Sequence, residues 1–151
     1  MTFDARNGTR GAWQPRGWVL RLANRLAMRR VRAGRTFIAG MNGLILTTVG
    51  RRTGAERQSP LSWFPGPDGS WLIVASAGGA PGNPAWYYNL KANPERVRIT
   101  VAGDTIDVTA AQLHGAELAA AWETIVAAAP RFAEYRARTD REIPVIGLSR
   151  R

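Results

Sequence analysis

GLILTTVGRRTGAERQSPL, residues Gly43 to Leu61, is the stretch whose reading decides the fold. An apolar run with β-branched residues ends at Val49, a glycine-bounded turn bearing arginines follows, and the chain becomes extended again at Ser59. The order is strand, basic turn, strand. Gly50 and Gly54 accept backbone angles that other residues resist, so the turn can be tight and its N–H groups can share one space. Arg51, Arg52 and Arg57 would add charge to that space, which suits a phosphate or carboxylate. An exposed hairpin with solvated arginines accounts for the same residues equally well.

Downstream of this hairpin the β signal repeats. Pro60 to Phe64 reads as a partly exposed strand, Pro65-Gly66-Pro67-Asp68-Gly69 as a turn, and Trp71 to Ser76 as another β run. Gly78-Gly79-Ala80-Pro81-Gly82-Asn83-Pro84 then interrupts the chain, and Pro84 is suited to open a helix over Ala85 to Ala92 that Asn93-Pro94 stops. Val97 to Val101 and Thr105 to Ala111 alternate as strands around Ala102-Gly103-Asp104. Gly115 to Ala128 and Pro130 to Arg138 read as helices, and Ile143 to Leu148 as the last strand. These elements make an antiparallel meander with peripheral helices, mainly β and of the α+β class, and argue against βαβ units.

Upstream, Phe37 to Ala39 reads as a short strand, with Gly40 to Gly43 as its turn. Gly17 to Val31 has helical spacing: Trp18, Leu22 and Leu26 recur every four residues, while Arg21, Arg25, Arg29 and Arg32 form a basic stripe. Such a helix can lie on an anionic membrane through residues 17–32, or pack on the body of the protein or a second subunit. Residues 1–12 are glycine-rich, polar and without periodicity, and are expected to be poorly ordered. The chain thus divides into a flexible basic arm, residues 1–35, and a β domain, residues 36–151.

Composition narrows the chemistry. The 151 residues, 45% hydrophobic, suffice for one domain with a real core. The formal charge of +10 is uneven, because residues 1–35 hold nine arginines against Asp4. An anionic partner is implied, although no nucleic-acid reading motif is present and nucleic acid is not expected. Absence of cysteine excludes disulfides, thiolate metal sites and a cysteine nucleophile, and one histidine, His114, excludes a multi-histidine metal site within one chain. No metal is therefore expected, and redox chemistry would have to reside on an organic cofactor. His114 fits a surface or capping role, and Asp140, Arg141 and Glu142 a connector network. No signal peptide is evident and the least charged run is too short to cross a bilayer, so the expected location is cytoplasmic, with peripheral membrane contact left open.

Two loops taken together carry a family resemblance. The run from Leu46 to Leu61, of the form LTTxGRxTGxxRxxPL, and the run from Ala75 to Val97, of the form ASxGG…PxWYxNLxANPxV, resemble the deazaflavin-dependent nitroreductase family, as does Thr139 to Val145 with its TDRxIPV. The similarity spans roughly residues 36–150. It implies a split β-barrel of the flavin-reductase type and binding of reduced coenzyme F420, an 8-hydroxy-5-deazaflavin. The implied activity is hydride transfer to a quinone, enone or nitroaromatic acceptor. Cofactor-binding residues implied by the resemblance are Arg51, Arg52, Thr53, Gly54 and Arg57 at the phosphate, and Ser76, Ala77, Gly78 and Gly79 in the glycine loop. Trp86, Asn89 and Lys91 follow on the adjoining motif, with Trp86 chiefly a packing anchor.

Ala77 departs from the ASKGG form common in similar chains and removes one anion contact. Tyr135 aligns with an aromatic residue on the substrate side, where it would donate a hydrogen bond or proton. Ser76 is a second polar candidate for orientation, and Phe132, matching a tyrosine position, supplies contact area alone. The competing readings are an FMN-dependent enzyme on a related barrel and a noncatalytic lipid- or cofactor-binding protein. A homodimer is left open.

Overall fold

A computed structural model describes residues 3–13, 17–32 and 42–151. The strand expected at Phe37 to Ala39 and the first half of the turn after it, residues 40–41, lie outside the described residues. Within them the chain forms strands β1 (Gly43–Val49), β2 (Glu56–Ser62), β3 (Phe64–Pro65), β4 (Trp71–Val74), β5 (Val97–Val101), β6 (Asp104–Gln112) and β7 (Val145–Arg150). The helices are α1 (Trp18–Arg32), α2 (Ala85–Ala92), α3 (Gly115–Ala128) and α4 (Arg131–Arg138). The strands make one antiparallel sheet in the order β2-β1-β5-β6-β7-β4-β3. That order explains the barrel: β2 and the β4–β3 hairpin are its two ends, and β2 comes up against β4 without pairing to it. The unjoined seam is where a ligand can enter.

Period-two burial divides the side chains between two cores. Ile73, Ile146 and Leu148 point into the barrel with Leu44, Leu46, Ile99 and Val108, while Leu72, Val74 and Val145 point outward beneath α3 and α4. Helix α2 plugs the interior core with Trp86, Tyr87 and Leu90. Trp122, Ile125 and Phe132 cover the outer face, where Phe132 meets Phe64 edge-on at 5.5 Å. Complete burial of a side chain such as Ile73 or Leu90 is worth about 1.5–3 kcal/mol, so each core can fix the helix above it.

The amino-terminal segment differs from its expected disorder. Phe3 is buried against the Tyr87 ring, 5.7 Å between centroids. The backbone N–H of Gly8 donates to the Pro81 carbonyl at 2.7 Å and that of Ala12 to the Gly79 carbonyl at 2.9 Å. Thr9 and Arg10 donate their N–H groups to Asp140 Oδ1 at 2.8 and 3.0 Å. Residues 3–13 thus form a strap over the glycine loop, held mainly by backbone donors, which periodicity cannot reveal.

Helix α1 forms as its spacing predicts and contacts β2 and β1, with Arg32 donating to Gln58 Oε1 at 3.1 Å. Its apolar stripe is not spent on that contact. Val31 is buried, whereas Trp18 is 70% exposed and Leu22 and Leu26 about half exposed. No helix among the described residues is long and apolar enough to cross a membrane.

Candidate functional site

A cleft of about 1110 Å³ occupies the seam. One wall is the edge strand β2 at Ser59–Ser62, and the other is the end of β4 and the loop after it, at Val74 and Ser76–Gly78. Trp86 lines it from α2, and Phe132 and Tyr135 from α4. The strap at Gly11–Trp13 and Leu20 and Asn24 of α1 close another side. A strand edge suits this position because half of its backbone groups face away from β1, and Pro60 fits there because it has no N–H to leave unpaired.

The glycine loop owes its shape to left-handed backbone. Ala77, Gly78 and Gly79 have φ of 44°, 64° and 84°. At Gly79 a side chain would also stand 2.9 Å from the Tyr135 carbonyl, so glycine lets α4 press on the loop. Gly11 serves the strap in the same way, since a Cβ there would collide with the Gly79 carbonyl. Ala77 holds a conformation that costs a residue with a side chain about 1–2 kcal/mol. It turns a methyl group, not a cation, toward the cleft wall.

Four hydroxyls line the cleft without a hydrogen bond among the described residues: Ser59 and Ser62 on the β2 wall, and Ser76 and Tyr135 opposite. Tyr135 is half-buried, packs edge-on against Phe132 at 5.2 Å, and its hydroxyl makes no hydrogen bond among the described residues. Ser76 is 9% exposed and its hydroxyl likewise has no partner among them. Asn83 is already paired: it binds the strap through its N–H to Asn7 Oδ1 at 3.0 Å. A ligand in the cleft would therefore meet the hydroxyls of Ser76 and Tyr135 on one side and those of Ser59 and Ser62 on the other.

The structure brings Ser76, Ala77, Gly78, Trp86 and Tyr135 to one cleft and leaves the other expected residues outside its lining. Gly79 lies behind the wall. Lys91 is exposed. Asn89 is buried and accepts the Arg51 N–H on Oδ1 at 3.1 Å while donating from Nδ2 to Thr48 Oγ1 at 3.2 Å. It therefore ties the arginine turn and the end of β1 to α2, the helix whose first turn lines the cleft.

The turn itself is closed by the Gly50 N–H on the Ala55 carbonyl at 2.7 Å and by Thr53 Oγ1, which accepts the Ala55 N–H at 3.2 Å. Arg51 stacks 4.8 Å over the Tyr88 ring, and Arg51, Arg52 and Arg57 are exposed and form no ion pair among the described residues. Arg57 stands on β2 two residues before Ser59, roughly 7 Å along a strand. Arg57 therefore sits beyond the β2 end of the cleft, and Arg51 and Arg52 belong to the turn that precedes it. A second hollow of about 220 Å³, between Thr47 and Asp107, offers no comparable anion site because Glu56 and Asp107 stand among its arginines.

Sequence reasoning missed Ser59–Ser62 as a wall, the strap, and the α1 contribution from Leu20 and Asn24. The proline in an edge strand was the available signal for the first. His114 opens α3 and its Nε2 lies 3.0 Å from Asp4 Oδ1, so its use is to hold the strap. That hydrogen bond holds the Asp4 carboxyl below the usual carboxylate range. Among the described residues no group of three metal-ligating side chains occurs.

A family model described as F420H(2)-dependent quinone reductase matches residues 18–149. An F420H(2)-dependent quinone reductase of Mycobacterium tuberculosis is 42% identical over 111 residues, covering 72% of this chain and 73% of that one. A solved F420-H2-dependent reductase, FDR-A, superposes with a TM-score of 0.64 at 38% identity, over 72% of this chain and 94% of its own. Another solved structure, described as a domain-swapped dimer, has a TM-score of 0.66 at 34% identity, over 87% and 97% of the two chains. A heme-binding protein from Mycobacterium smegmatis, 19% identical with a TM-score of 0.57, shares the fold alone.

Proposed function

The chain belongs to the F420H(2)-dependent quinone reductase family, and from that premise we propose that the seam cleft holds reduced coenzyme F420 beside a quinone-like acceptor. The observation that carries this reading is the pairing of an unjoined barrel seam with unclaimed arginines at one end and unclaimed hydroxyls inside. The cleft volume is of the size that takes a planar polycyclic ligand. The bound coenzyme would supply hydride; binding, alignment and the proton are left to this chain.

Arg51, Arg52 and Arg57 bind the anionic tail through charge-assisted hydrogen bonds, with Thr53 and Gly54 shaping the turn that presents them. Ser59–Ser62 and Ser76–Gly78 confine the ring, and Trp86 packs beneath the loop. Ser76 orients a polar atom, and Tyr135 donates a hydrogen bond or proton to the acceptor oxygen on which negative charge develops. Asn89 acts through the arginine turn, and Lys91 adds charge on the same helix. The strap and α1 exclude water from one side.

The test is equilibrium titration of the purified chain with F420 and with FMN, followed by anaerobic mixing with the reduced deazaflavin and a menaquinone analogue. Saturable F420 binding and acceptor-dependent oxidation are expected. FMN binding in its place, or F420 binding with no oxidation by any quinone, enone or nitroaromatic, overturns the reading.

A second reading concerns location. The exposed Trp13, Trp18, Leu22 and Leu26, beside the arginines of α1, suit an anionic lipid surface that also dissolves quinones. The same face would be covered in a dimer.

A further inference from the structure

Arg141 stands apart from the connector in which it occurs. It is 7% exposed, and its guanidinium lies behind the glycine loop. Nε donates to the Ala80 carbonyl at 2.8 Å and Nη1 to Asn83 Oδ1 at 2.8 Å. Nη2 donates to the carbonyls of Ala75 at 3.0 Å and Ser76 at 2.8 Å. All four acceptors are neutral, and Arg141 forms no ion pair among the described residues. Burial pulls its pKa down, but a guanidinium remains charged in any protein environment.

A buried cation without a counter-ion carries a desolvation penalty that a neutral donor would avoid. Its placement acquires a use if an anion approaches from the far side of the loop. The peptide geometry points the same way. In a trans peptide the N–H is directed opposite to the C=O. Bonding the Ala75 and Ser76 carbonyls to Arg141 therefore turns the N–H groups of Ser76 and Ala77 away from it, and those two residues form the cleft wall.

We infer that Arg141 is the positioning residue of the cleft: it braces the Ser76–Ala80 loop from behind and sets an uncompensated positive charge beneath the bound anionic ligand. The inference rests on the deazaflavin reading for the identity of that ligand, and on the hydrogen bonds alone for the bracing. Arg141 touches no ligand itself. It also joins the loop to Asn83, which holds the strap, so one side chain organises two walls of the cleft.

Full-length Arg141→Gln and Arg141→Lys variants test this with two measurements. In the coenzyme-free protein, hydrogen exchange of the peptide covering residues 75–84 is expected to accelerate at least tenfold in Arg141→Gln and less in Arg141→Lys, with β5 and β6 unchanged. For oxidised F420, the dissociation constant is expected to rise at least tenfold in Arg141→Gln, and Arg141→Lys, which keeps the charge, recovers most of the loss. Unchanged exchange in Arg141→Gln overturns the bracing, and affinity equal to the parent chain, or no recovery in Arg141→Lys, overturns the charge. If Arg141→Gln does not fold, Arg141→Lys with parental exchange overturns the proposal and intermediate exchange supports it. Failure of the unmodified chain to bind F420 instead refutes the deazaflavin reading, and exchange then decides the bracing.

Discussion

At Tyr135 the hydroxyl, not the ring, separates chemistry from packing. Its ring stacks edge-on with Phe132 whether or not an oxygen is attached, so Tyr135→Phe keeps the contact and removes the donor. General-acid assistance contributes typically about 10²–10⁴-fold, and water can replace part of it. A fall of about ten- to a hundredfold in single-turnover hydride transfer to a quinone is expected, with thermal unfolding unchanged. Stopped-flow absorbance of the deazaflavin measures it, and an unaltered rate assigns Tyr135 to packing.

Asp140 shows a different residue-level effect. Hydrogen bonds from the Thr9 side chain and from the backbone of Arg10 and Thr9 lower its pKa from 3.8 to about 2. The folded value lies below the unfolded one, so its hold on the strap is complete above pH 3.8 and is lost as pH falls through about 2. The amide-proton resonances of Thr9 and Arg10 are expected to titrate with a midpoint near 2, and in Asp140→Ala to lose that titration. A midpoint near 3.8 would show that the strap does not engage the carboxylate.

Among the elements, α1 is the one whose sequence pattern and packing disagree most. A stripe at Trp18, Leu22 and Leu26 ordinarily marks a buried face, yet here those side chains are about half exposed or more while Val31 and the Arg32–Gln58 hydrogen bond anchor the helix. Replacing Leu22 and Leu26 by Glu puts charge into that face without touching the core. Sedimentation with vesicles containing phosphatidylglycerol is expected to fall at least fivefold, and circular dichroism to remain that of the parent chain. Equal sedimentation would direct attention to a second copy as the occupant.

The strands, by contrast, were legible. Alternation at Trp71 to Ser76 puts one strand face in each core, that at Thr105 to Ala111 puts Ile106, Val108 and Ala110 in the barrel core, and glycine or proline marks the turns between strands. β2 proved longer than its proline-bounded reading because an edge strand can begin with exposed Glu56, Arg57 and Gln58, which carry no apolar signal. The cleft was legible through Ser76–Gly78, Trp86 and Tyr135. The strap was not, since hydrogen bonds such as Gly8 to Pro81 need no particular side chain.

On the scale of the whole molecule, Tyr87 shows how the strap, the plug helix and the sheet are joined. Its hydroxyl donates to Gln112 Oε1 at 2.6 Å and accepts the Ala5 N–H at 2.9 Å, while Gln112 Oε1 also accepts the Asp4 N–H at 3.2 Å. Tyr87 and Gln112 are both buried, so neither has water to fall back on. Burial raises the Tyr87 pKa above 10.0, which means its contribution is complete below pH 10.0 and is lost as pH rises through the higher folded value.

Tyr87→Phe removes one oxygen and strands the Ala5 N–H and part of the Gln112 acceptor. Leaving a buried group unsatisfied costs about 1–3 kcal/mol, whereas the ring contact with Phe3 is retained. Urea unfolding is therefore expected to show a loss in that range with an unchanged slope. Because Ala5 leads directly into the segment that covers the glycine loop, exchange at Gly8 and Ala12 should rise as well. A stability loss without faster exchange there would mean that Tyr87 supports the sheet alone, and that the strap is held to the cleft by Asp140 and the loop carbonyls.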